Sequence, residues 1–183
     1  MNRVGKWFPV ESVSFPRSGH KLTTDWLTNY FGSEFIYDGE WRSSEWRSSE
    51  WKPGVHFQKN HDFDLNVLFL EDRKYLVQVR DPFDSLLSWH QMTVRSDGIP
   101  NDKETFRRIA REKMAYLSGF LGKWVFSDNV PNRMIVTYRD LVGRPADSLR
   151  RLVNFFGESP DEERIQETIR RIPPNPKVEY FFL

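Results

Sequence analysis

Three short stretches of this chain carry residue types and spacings suited to chemistry on an anionic ligand. The first is SFPRSGHKL, in which Arg17, Ser18, Gly19, His20 and Lys21 put cations, a hydroxyl and a glycine side by side. Glycine lets a backbone approach a ligand closely, and Arg and Lys supply charge. If a helix opens at this turn, its first N–H groups and dipole favour an anion there, so the stretch has the chemistry of a phosphate cradle. The second is RDPFDSLLS, where Arg80 and Ser88 lie eight residues apart and could grip one further phosphate. The third is FQKNH, with Lys59 two residues before His61, whose imidazole could take a proton from a hydroxyl near neutral pH. Each has a plainer reading: a basic surface turn, a strand-end Arg paired with Asp84, a packing histidine. Asp62 and Asp64 read as a solvated turn rather than a metal site.

The elements that must position these residues follow from periodicity. Val10 to Phe15 is an apolar run, and Leu22, Trp26, Leu27, Tyr30 and Phe31 share one helical face before Gly32. The cradle is therefore a strand-turn-helix junction. Val55 to Lys59 alternates as a strand, and Tyr75 to Val79 reads as a buried strand ending at Arg80. A helix opens at Pro82 behind an Asp81 cap, with Phe83, Leu86, Leu87 and His90 inward. Phe106, Ile109, Ala110, Met114, Leu117, Leu121 and Trp124 mark a long amphipathic helix. Met134 to Tyr138 is a further strand. Pro145 opens a helix bearing Leu149, Leu152, Val153 and Phe156, which Gly157 closes. Ser159-Pro160-Asp161-Glu162 reads as a capping box for a last helix with Ile165, Ile169 and Ile172. Strands separated by helices predict an α/β fold, a parallel sheet covered on both faces, with ligands at the carboxyl ends of the strands.

Bulk composition narrows the function. The 183 residues fit one domain, 1–183, with a motif-bearing core over about 10–157. Lys plus Arg is 27 and Asp plus Glu is 26, a balance that argues against nucleic acid as a partner. Without cysteine there are no disulfides, thiolates or Cys-ligated zinc sites, and no convincing metal-ligand cluster stands out. No run approaches the ~20 apolar residues of a membrane span, and the N-terminus lacks a signal-peptide core, so a cytoplasmic protein is expected. Glu40 to Trp51 is a five-residue repeat, EWRSSEWRSSEW, matching neither helix nor strand period. It reads as a loop: an acceptor-contacting flap, with Trp41, Trp46 and Trp51 on a ligand, or a duplicated surface loop. Self-association through exposed aromatics stays open.

Taken in order, the motifs resemble the cytosolic sulfotransferase superfamily. SFPRSG is similar to its 5′-phosphosulfate loop, QKNH to its K-x-H segment, and VRDPFDSLLS to its 3′-phosphate motif, R-[DN]-P-x-D-x-x-x-S. VTYRDLVGRPADSLRRLVNFFG is similar to its Y-E-D-L block. The resemblance implies a P-loop-like three-layer α/β/α fold and, as co-substrate, 3′-phosphoadenosine 5′-phosphosulfate (PAPS), without a metal. The reaction implied is sulfuryl transfer to a hydroxyl or amine of a small-molecule, sugar or lipid acceptor. By residue, it implies that Arg17, Ser18, Gly19, His20 and Lys21 hold the 5′-phosphosulfate, that Arg80 and Ser88 hold the 3′-phosphate, and that His61 is the base. Lys59 and Arg17 would stabilise charge in transfer. Leu22, where relatives carry a base-stacking Trp, and Tyr138 complete the implied donor site. Two other readings stand beside this one. An atypical nucleotide phosphotransferase would need Mg²⁺ and a triphosphate, and the loop lacks G-x-x-x-x-G-K-[ST]. A non-catalytic nucleotide-binding module of the same fold would bind without turnover.

Overall fold

The computed structural model describes residues 9–38 and 54–174, so the EWRSS repeat lies outside the described residues. Among the described residues, five strands form one sheet: β1 (Val10–Ser14), β2 (Phe35–Asp38), β3 (Val55–Asn60), β4 (Lys74–Val79) and β5 (Arg133–Thr137). Their order is β2-β3-β1-β4-β5, and every neighbouring pair is parallel. All five carboxyl ends therefore lie at one edge, with β1 in the middle.

The helices are α1 (His20–Phe31), α2 (Pro82–Asp97), α3 (Lys103–Phe120), α4 (Tyr138–Gly143), α5 (Pro145–Phe155) and α6 (Glu162–Arg171). Strand side chains alternate between two cores, as a pleated strand covered on both faces requires. Leu76 of β4 joins Trp26, Leu27, Leu152 and Ile165 beneath α1, α5 and α6. Its neighbours Tyr75 and Val77 join Leu86, Leu117, Phe120 and Trp124 beneath α2 and α3. The three-layer α/β/α arrangement expected from sequence is the observed one. Among the described residues, no helix is long and apolar enough to cross a membrane.

Several local expectations need correction. Phe83 is 53 % exposed, because it occupies the first turn of α2, where its ring packs edge-on with Phe106. Met114 is 50 % exposed, on the outer face of α3. The cap of α6 is Asp161, whose carboxylate accepts from the Arg164 N–H at 3.0 Å, rather than Ser159. Tyr138 opens α4 instead of closing β5, because Thr137 caps that helix through the Asp140 N–H. The long helix does not run evenly to Trp124: α3 ends at Phe120 and a π-helical turn, Leu121–Phe126, follows. β2 was not expected at all.

Candidate active site

The carboxyl edge of the sheet opens into a cleft of about 750 Å³. The loop after β1 forms its floor. Arg17 and Gly19 both take left-handed backbone conformations, at φ 70° and 96°. For Arg17 this is an uncommon state, which must be held by its surroundings. The holder is Ser18, fully buried, whose hydroxyl lies 2.5 Å from the Phe15 carbonyl and 3.0 Å from that of Gln78. Its side chain thus anchors the loop to β4 instead of facing the cleft. Gly19 is forced by a close approach as well: a Cβ there would come within 2.9 Å of the Tyr138 ring. α1 starts at this point with no side-chain cap and no acidic residue in its first turn. Its first amides and positive dipole end are left for an anion.

His20 is the second loop residue whose side chain is structural. Its Nδ1 lies within hydrogen-bond distance of Ser12 and Gln78, and its Nε2 of the Tyr37 hydroxyl at 3.1 Å and of Thr24. The ring stacks on Phe57. Burial, with Lys59 and His61 nearby, lowers its pKa to about 3, so it is neutral. Lys21 is exposed and pairs with Asp25 one turn along α1 at 2.7 Å. Leu22 packs, half-buried, on the α1–α5–α6 core and does not line the cleft. Trp26, one turn on, is fully buried with its N–H donating to Ile172, so neither residue offers a face to a base.

His61 follows β3 and lines the cleft beside Lys59. Its Nδ1 lies 2.6 Å from the Ser14 carbonyl, a contact that requires the proton on Nδ1 and makes Nε2 the basic nitrogen. Burial chiefly, opposed by that hydrogen bond, lowers the His61 pKa to about 4. The backbone is pinned too, since the Tyr116 hydroxyl donates to the His61 carbonyl at 2.5 Å. Asp62 is no solvated turn residue. It is buried at φ 46° and accepts from Lys123 at 2.7 Å, the Trp124 N–H at 2.8 Å and the Val67 N–H at 2.9 Å. Asp64 is exposed, as a turn residue should be. Burial also lowers the pKa of Lys59.

The second stretch, RDPFDSLLS, reaches the same cleft from the other half of the sheet. Arg80 emerges at the end of β4 with its side chain 7 % exposed and its guanidinium 4.3 Å over the Tyr138 ring. Asp84 approaches it only to 3.7 Å, and among the described residues the buried Arg80 Nε has no hydrogen-bond partner. Ser88 accepts from the Arg17 Nε at 3.1 Å, which joins the first and second stretches directly. Arg17 itself has a lowered pKa, from burial and then from Arg80 and Arg95. Of the sequence-predicted residues, Arg17, Gly19, His20, Lys21, Lys59, His61, Arg80, Ser88 and Tyr138 line the cleft, whereas Ser18 and Leu22 do not. Tyr37, Phe63, Trp89 and Met92 line it without having been singled out. Adjacency was the available signal for Trp89 and Phe63, next to Ser88 and two residues past His61; Tyr37 had none.

A cationic loop at a helix start, set at the switch point of a parallel sheet, is the arrangement in which α/β proteins commonly hold a phosphate group. The sulfotransferase domain family matches residues 59–175, and the chain belongs to that family. Comparison with curated protein sequences gives no significant match. Among solved structures, the mouse sulfotransferase SULT7A1 complexed with PAP superposes with a TM-score of 0.73 at 14 % identity, over 92 % of this chain and 65 % of that one. Retinol dehydratase in complex with androsterone and inactive cofactor PAP gives 0.60 at 17 %, over 90 % and 64 %. The sulfotransferase domain from the curacin biosynthetic pathway gives 0.55 at 15 %, over 88 % and 77 %. The chain thus spans slightly less than two thirds of the first two.

Proposed function

We propose that the chain is a PAPS-dependent sulfotransferase that moves a sulfuryl group to a hydroxyl or amine acceptor, with His61 as general base. The observation that carries this reading is one cleft holding His61, tethered through Nδ1, beside Lys59, the uncapped start of α1 and Arg80. The residues fit the donor. Arg80, whose buried Nε lacks a partner among the described residues, and Ser88 suit the 3′-phosphate, while Arg17 and the first amides of α1 suit the 5′-phosphosulfate. Tyr138, stacked under Arg80 and against Gly19, walls the nucleotide side. Family relatives crystallised with PAP support the same assignment.

In the transfer, one bond forms between sulfur and the acceptor oxygen (or nitrogen, for an amine) and one S–O bond to the 5′-phosphate breaks. His61 Nε2 takes the acceptor proton, and the bridging oxygen leaves with its electron pair, needing no proton. Arg17 and Lys59 offset the negative charge that develops there. Among the described residues, no group of three or more metal-ligating side chains occurs, and these steps call for none.

Calorimetric titration with 3′-phosphoadenosine 5′-phosphate (PAP), beside AMP and beside ATP with Mg²⁺, tests the reading. Tight binding of PAP with AMP far weaker is expected. Preference for ATP with Mg²⁺ would replace it with phosphotransfer.

A further inference from the structure

A second, smaller groove adjoins the cleft along α2, lined by Arg17, Ser88, Gln91, Met92, Arg95 and Ser96. Ser88 and Arg95 are seven residues apart on one helix, so they point within roughly 20° of each other, about 10 Å apart along the axis. An arginine side chain covers most of that span. Arg17 stands between them, donating to Ser88 and lying 3.8 Å from the Met92 sulfur. Both Arg80 and Arg95 act on the Arg17 charge as like-charge neighbours. Among the described residues, the ion pairs include Asp84 with Arg80 but no carboxylate with Arg17 or Arg95. Arg17, Arg80 and Arg95 line the cleft and the adjoining groove, which share Ser88, and with one loosely placed carboxylate they give this region excess positive charge. A singly charged ligand group leaves that excess largely in place; a phosphate monoester dianion neutralises it.

We propose that Arg95 is a specificity-determining residue of this site, contacting the nucleotide's 3′-phosphate from two turns beyond Ser88. This rests on the sulfotransferase reading above and adds to it a residue outside every motif recognised in the sequence. Arg95 selects for the phosphate monoester, while Arg80 and Ser88 fix its position.

The test is calorimetric titration of the wild-type protein and of Arg95→Ala with PAP and with AMP, which lacks the 3′-phosphate. Arg95 is exposed on the last turn of α2, and an unchanged melting temperature verifies that the variant is folded. Loss of one charge-assisted contact should weaken PAP about tenfold and leave AMP within twofold. Arg95→Lys should recover part of the loss. Equal weakening of both nucleotides would reduce Arg95 to general electrostatics and overturn the proposal. Wild-type discrimination that survives intact in Arg95→Ala would overturn it too, leaving the sulfotransferase reading standing. A wild-type protein that does not distinguish PAP from AMP would overturn both.

Discussion

Burial keeps the His61 imidazole neutral far below the usual histidine range, at a pKa of about 4 against 6.5. A base must be unprotonated before it acts, so the free protein is ready throughout the neutral range, at some cost in basicity. A bound polyanion beside Nε2 favours the imidazolium and raises the pKa. In an NMR titration, the signal lost in His61→Ala should titrate near pH 4 in the free protein and clearly higher with PAP bound; no upward shift would separate His61 from the anion site. The stability consequence has a definite sign. With pKa values lowered to about 4 at His61 and about 3 at His20, the unfolded chain binds more protons below its own value of 6.5. Stability from these two groups is complete above pH 6.5 and is lost as pH falls toward 4 and then 3. His61→Ala should lower turnover by about 10²–10⁴ while PAP binding stays nearly intact; loss of PAP binding in a folded variant would make the residue structural. The sequence marked His61 and its neighbour Lys59 by type, and both line the cleft. It could not distinguish Ser18 and His20, whose side chains are engaged in hydrogen bonds within the fold, from residues free to meet a ligand, because both uses place polar residues in the same turn.

At the scale of elements, the loop after β3 is held from a distance. Asp62 ties it to Lys123 and Trp124 of the π-helical turn, and Tyr116 of α3 ties it through the His61 carbonyl. Removing the carboxylate by Asp62→Ala would leave Lys123 without its counter-charge and two N–H donors unpaired. A loss of about 3 kcal/mol in urea unfolding is expected, with His61 displaced and turnover reduced even under native conditions. The loop after β1 makes the complementary prediction. Gly19→Ala forces an L-residue into φ 96° and against the Tyr138 ring. It should cost about 1–3 kcal/mol of stability and weaken PAP; an unchanged melting temperature would mean that the loop can move away. Strands β1, β3, β4 and β5 and the long helices were legible because their apolar periods run for several residues. β2 is four residues long, too short for a period to show. The π-helical turn left no trace, and Asp62 read as solvated, because Lys123 and Trp124, which bind its carboxylate, lie about sixty residues away.

The molecule as a whole divides its site across the sheet. β2 and β3 bring Tyr37, Lys59 and the approach to His61, whereas β4 and β5 lead to Arg80 and Tyr138, with β1 and its loop at the seam. That all strands run parallel was read from their alternation with helices; the order was not, since order depends on which crossovers the helices take. The order has a mechanical consequence. A nucleotide lying across the β1 loop would touch both halves of the sheet at their carboxyl edge, so it would act as a clasp rather than a plug. Saturation with PAP should therefore slow amide hydrogen exchange near the ends of β3 and β5 together, on opposite sides of the clasp, by more than it slows exchange at their amino ends. Protection confined to one half would mean that the ligand hangs from one leaf of the hinge and leaves the other free to swing.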